Sequence, residues 1–155
     1  MGTYLSEIVD IFMTRVNDYR LNTVYQTSGS FIFTQYIEPW VLDSIIDFNI
    51  CTQSLAYTPT SGSVEGYFAE DLTTEHKSIL SRLMVKYWMQ KTVQDILQMN
   101  NSITDHDYKT YSQAQNLKAK QDYLNSLKEE ISQMLIDYSY KNNSWSDWRN
   151  QLFYS

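Results

Sequence analysis

Ile79, Leu80, Leu83, Met84, Tyr87, Trp88, Ile96 and Leu97 recur at the three- and four-residue spacing of one helical face. Thr73 stands where an N-cap hydroxyl is needed, and Glu75 suits the positive end of a helix dipole, so residues 73–99 are predicted helical. A polar loop, Asn100 to Tyr111, follows. Ser112-Gln113-Ala114-Gln115 then has the form of a capping box. Beyond it Leu117, Leu124, Ile131 and Tyr138 step by seven residues, with Leu127 and Met134 between them, predicting a second long helix over 112–141. Two such stripes joined by one connection bury each other as an antiparallel hairpin. Leu83, Trp88, Leu124 and Ile131 are the expected scaffold core. The fold class is therefore all-α: a helical bundle built on this hairpin.

Composition points the same way. Four Gly and two Pro in 155 residues are too few for a turn-dense β-sandwich. Hydrophobic residues at 43% and charged residues at 19% supply the core of one ordinary domain. One Cys excludes an internal disulfide framework and a multi-cysteine zinc site. A net charge of −6 argues against general nucleic-acid binding, which needs clustered Lys and Arg. Thirteen Tyr and four Trp suit either protein interfaces or a Tyr-rich core, and composition leaves both open. The apolar stretches are far shorter than the ~20 residues that span a bilayer, and no basic leader precedes them, so no membrane association is expected.

Leu5, Ile8, Val9 and Phe12 predict a first helix over 3–16, with Thr3 as its cap and Asn17-Asp18-Tyr19 ending it. Residues 22–30, rich in Thr, Ser and Gly, read as a polar connector. A helical region over 31–48 carries Phe33, Tyr36, Ile37, Trp40, Val41, Ile45 and Phe48 around most of its circumference, which suggests burial on several sides. Pro39 within it predicts a kink or two short helices. Residues 49–72 hold the turn cluster Tyr57-Thr58-Pro59-Thr60-Ser61-Gly62-Ser63, consistent with a projecting β-hairpin or an extended loop. After Asn142-Asn143, the tail 144–155 places Trp145, Trp148 and Leu152 on one narrow face if helical, with Phe153 beside them. This segment is either a docking arm or a closing piece of the core.

Residues of the catalytic types are few. Cys51 follows an apolar helix and reads as a small buried residue. His76, in the first turn of the third helical stretch, reads as exposed. Asp105-His106-Asp107 is the one local cluster of ligand types, but without further His or Cys nearby it reads as a solvated loop, not a metal site. Adjacent Glu129 and Glu130 diverge on a helix and form no carboxylate dyad. No phosphate loop, dinucleotide turn or serine elbow is present. No enzymatic activity, cofactor or metal is expected.

Phe68-Ala69-Glu70-Asp71-Leu72-Thr73-Thr74-Glu75 leads into Ile79-Leu80 and Leu83-Met84-Val85-Lys86-Tyr87-Trp88, and Asp107-Tyr108-Lys109-Thr110-Tyr111-Ser112-Gln113-Ala114 precedes Leu117-Lys118. In order and spacing these elements resemble the head–tail connector, or neck adaptor, proteins of tailed bacteriophages, including those of crAss-like phages of Bacteroides. Tyr4, Ile8, Phe12 and Asp18-Tyr19-Arg20 extend the likeness more loosely, so that it covers most of residues 3–140. No single motif in it is diagnostic. Pro39 and the Trp-rich tail depart from the pattern.

The resemblance implies a structural virion protein. It would form a homo-oligomeric ring, commonly twelvefold, between the portal and the downstream tail or neck proteins. DNA would pass through its channel without sequence-specific binding. Its place would be the virion head–tail junction, reached through the host cytoplasm during assembly. Residues 1–143 would form the connector domain. The tail residues Trp145, Trp148, Leu152 and Phe153 would dock on the portal, and the loop residues Asp105, His106 and Asp107 would face the channel or the next ring. The alternative reading is a small helical regulatory or assembly-chaperone module that binds one partner.

Overall fold

The computed structural model describes residues 2–16, 18–27, 29–102 and 107–142. These form α1 (Leu5–Arg15), α2 (Tyr19–Thr27), α3 (Gly29–Asp47), β1 (Tyr57–Thr58), β2 (Tyr67–Phe68), α4 (Thr74–Ser102) and α5 (Asp107–Asn142). The chain is a helical bundle with a short hairpin insertion, as its apolar spacing requires.

Helix α4 is the axis of the bundle and packs against α1, α3 and α5. It can do so because Ile79, Leu80, Leu83, Met84 and Val85 are all buried, covering more than one face of its first half. Helix α5 runs antiparallel to it. His76 near the start of α4 meets Tyr138 near the end of α5, and Arg82 pairs with Glu130. Leu83, Leu124 and Ile131 are buried as expected, and Met89, Val93 and Leu124 form a second, smaller cluster toward the other end. Trp88 departs from expectation. It is only half-buried, because it bridges the two clusters at the edge of a surface groove.

Several boundaries differ from the sequence reading. Helix α5 begins at Asp107, so the Ser112–Gln115 capping pattern lies inside a helix and the connection from α4 is shorter than predicted. An acidic residue at the first position of a helix is favoured by the dipole. Of the expected connector 22–30, residues 22–27 belong to α2 and 29–30 to α3: Asp18 Oδ1 accepts from the Arg20 and Leu21 N–H groups at 2.8 and 3.1 Å and caps α2. Leu21 is buried, and the Tyr25 ring meets Phe33 edge-on at 5.0 Å, so tertiary packing outweighs the weak propensity of the segment. Helix α3 runs through Pro39 as one element. Pro39 is exposed, and the Gln35 carbonyl that its missing N–H leaves without a helical partner belongs to an exposed residue that water can reach.

Thr3 is not the cap of α1. Tyr4 holds that position, its N–H donating to Glu7 Oε1 at 3.1 Å. The Thr3 hydroxyl oxygen instead accepts the Leu72 N–H at 2.7 Å, tying the N-terminus to the start of α4. Strands β1 and β2 pair antiparallel in the register Tyr57↔Phe68 and Thr58↔Tyr67, which makes the insertion a hairpin. Gly62, at its tip, takes φ +58, a conformation that suits glycine. The hairpin does not project. Phe68 is fully buried, its N–H donates to the Thr3 carbonyl at 2.8 Å, and Leu5 N–H donates to the Gly66 carbonyl at 2.9 Å. From α3, Glu38 Oε1 accepts the Tyr57 hydroxyl at 2.6 Å and the Thr60 N–H at 2.8 Å. A Cβ at Gly66 would lie 2.0 Å from Tyr57 Oη, so any side chain there would have to displace the Tyr57 hydroxyl that donates to Glu38.

Candidate functional site

Three features could carry function: a buried polar network, an apolar face of α3, and the groove beside Trp88. The network is built where the ends of α3, α4 and α5 meet. His76 is 4% exposed, not solvated as its helix position suggested. Its Nδ1 lies 2.5 Å from Gln53 Oε1 and its Nε2 lies 2.8 Å from Tyr138 Oη. With a carbonyl oxygen at Nδ1, that nitrogen carries the proton, and Nε2 accepts from Tyr138. Tyr138 Oη in turn accepts the Thr52 N–H at 3.0 Å and lies 2.8 Å from Thr52 Oγ1. Phe48 stacks edge-on against both rings, with centroids at 5.9 and 5.1 Å. Burial lowers the His76 pKa, the nearby Glu75 charge opposing it.

Each of these polar groups is satisfied by another within the network, leaving His76 no lone pair aimed at a cavity. The arrangement is a brace. Cys51, half-buried beside it, has its thiol pushed upward chiefly by burial, which disfavours the reactive thiolate. Among the described residues no group of three His, Cys, Asp or Glu side chains could hold a metal ion, and no buried side-chain nitrogen or oxygen lacks a partner. No described helix is long and apolar enough to cross a membrane.

Helix α3 is different in kind. Phe33, Ile37, Trp40, Val41 and Ser44 are buried and occupy an arc of about 100° at 100° per residue. On the other side Ile32 is 60% exposed, Tyr36 50%, Leu42 42% and Ile46 71%, within an arc of about 120°. Ile50, in the turn after the helix, continues this row and is exposed. The all-round apolarity of α3 therefore does not mean burial on every side. One side is core, and the opposite side exposes these apolar side chains with Gln35, Pro39 and Asp43 standing among them.

The groove adjoins this side. About 680 Å³ in volume, it opens between α2, α3, α4 and α5 and is lined by Tyr19, Tyr36, Trp40 and Trp88. Arg20, Lys91 and Lys120 stand along it with Asp18 and Asp95. Of these, the aromatic side chains and Arg20 are of the types enriched at protein interfaces.

The sequence pointed elsewhere. Asp105, His106, Trp145, Trp148, Leu152 and Phe153 lie outside the described residues, and Asp107 is the first residue of α5. Ile32, Leu42, Ile46 and the cations of the groove were missed. Their one signal was the uninterrupted apolar circumference of α3, which fits an interface as well as it fits burial. Comparison with known proteins finds no matching family model, no matching curated protein and no matching solved structure.

Proposed function

We propose that the chain is a structural virion subunit that assembles into a ring at the head–tail junction of a tailed bacteriophage, between the portal and the tail, and extends the DNA channel. The observation that carries this reading is the second apolar face of α3. Ile32, Tyr36, Leu42 and Ile46 are all exposed on the outer side of one long helix, and a subunit that meets neighbours can bury such side chains against them. The resemblance of residues 68–88 and 107–118 to connector proteins supplies the setting. The rigid α4–α5 hairpin supplies a scaffold, and the net charge of −6 suits a channel lining that repels phosphates and lets DNA pass. This role requires binding, not catalysis.

Quantitative mass spectrometry of particles purified from a lysate of the encoding phage tests the proposal. The chain should be present in purified particles at a copy number equal to or a simple multiple of the portal subunit. A chain abundant in the lysate but missing from the particles would instead identify an assembly chaperone or regulator and end the structural reading.

A further inference from the structure

A closed ring needs two different faces on each subunit, joined head to tail. We infer that the groove beside Trp88 receives the acidic end of a second copy of this chain; the inference rests on the ring reading above and names its contact. Arg20, Lys91 and Lys120 line the groove and have no ion-pair partner among the described residues. Three cations stand there against two carboxylates, Asp18 and Asp95, so the lining carries a small net positive charge, and Asp18 Oδ1 is already taken up by the N–H groups it caps. Tyr19 and Trp88 give the same groove aromatic walls.

The complement lies at the opposite end of the bundle. Tyr4 and Tyr67 pair across an isolated β-bridge, and both rings are exposed. Glu70 and Asp71 follow, exposed and without ion-pair partners among the described residues. Acid thus faces cation, and aromatic faces aromatic, if this end enters the groove of another copy. It cannot enter its own. Glu70 and Asp71 precede α4, whose first residue is Thr74, while Lys91 is 17 residues farther along the same helix, about 26 Å along its axis. The contact is therefore between copies, uses two unlike surfaces, and repeats in one rotational sense. Asp95 in the groove and the net charge of −6 disfavour a nucleic-acid backbone as the occupant.

Sedimentation velocity of the purified full chain at low salt tests this contact. Self-association is expected between about 5 and 500 μM, weakening as salt rises. Lys91→Glu combined with Lys120→Glu should weaken it at least about tenfold without changing the melting temperature. Adding Glu70→Lys and Asp71→Lys to that same chain should restore association to within about threefold of the unmodified protein, because the two reversed groove positions then face two reversed positions of the acidic end, with Arg20 alone left unreversed. A chain that stays monomeric throughout overturns the inference. So does a charge-reversed pair that associates normally, or a fourfold variant that is not restored. None of these readings involves particles, so the contact can fail while the chain is found in virions, and the virion reading can fail while the contact stands.

Discussion

Phe48→Ala should lower stability by about 3–5 kcal/mol, the cost of truncating a buried aromatic that its surroundings cannot fill. Phe48 has no exposed surface, and it stacks against His76 of α4 and Tyr138 of α5 where α3 ends. Its removal opens a cavity beside the polar network that joins α4 and α5 to the segment following α3. Domains of this kind are stable by only about 5–15 kcal/mol, so the loss is a large share of the whole. Thermal unfolding followed by circular dichroism should show a midpoint about 6–20 °C lower. A midpoint unchanged within error would mean that the α3–α4–α5 junction is not packed as described.

The second large effect is expected from acid. Above pH of about 6.5, the ordinary His value, His76 is neutral in both states and its network is intact. Its folded-state pKa is lowered by burial. As pH falls below about 6.5, the unfolded chain takes up a proton that the folded chain resists, and stability declines until the folded pKa is reached. The geometry gives the reason. A proton on Nε2 would face the Tyr138 hydroxyl that now donates to it, and that oxygen already accepts from Thr52 N–H. Urea midpoints should fall between pH of about 7.5 and 5.5, and His76→Gln should remove that part of the slope. An identical slope in the variant would assign acid sensitivity to other groups.

How far the sequence reveals this fold depends on how local each signal is. The α4–α5 hairpin is legible because Leu83, Leu124 and Ile131 sit in stripes that repeat every turn or two and need no knowledge of the rest of the chain. Helix α2 is not, since Asp18 capping competes with Thr, Ser and Gly content nearby, and the packing of Leu21 and Tyr25 that decides the matter is tertiary. His76 is misread for a similar reason: its partners Gln53 and Tyr138 are 23 and 62 residues away. The docking of the hairpin rests largely on backbone hydrogen bonds to Thr3 and Leu5, and backbone bonds leave no side-chain signature. Glu38 adds a side-chain tie that nothing in its sequence neighbourhood announces.

The candidate surface was half-visible. Apolar residues all around 31–48 were plain from spacing, but spacing alone cannot tell a helix buried on two sides from one that is core on one side and an interface on the other. The exposure of Ile32 and Ile46 shows that α3 is not buried on both sides among the described residues. Trp88 shows the converse limit. Its place in the α4 stripe is right, yet it is half-buried at the groove, packed with Leu117 against the small cluster of Met89, Val93 and Leu124.

Substitution at Ile46 is the most direct test of a subunit that assembles through α3. Ile46 is 71% exposed, so Ile46→Lys should leave stability within about 0.5 kcal/mol of the unmodified protein. The measurement is the amount of variant chain in particles purified from cells that supply only the variant. If the outer face of α3 meets its neighbours in the ring, the variant should melt normally and be lost from particles, which then fail to join tails. A variant that melts normally and is incorporated at the unmodified level would contradict that role for α3.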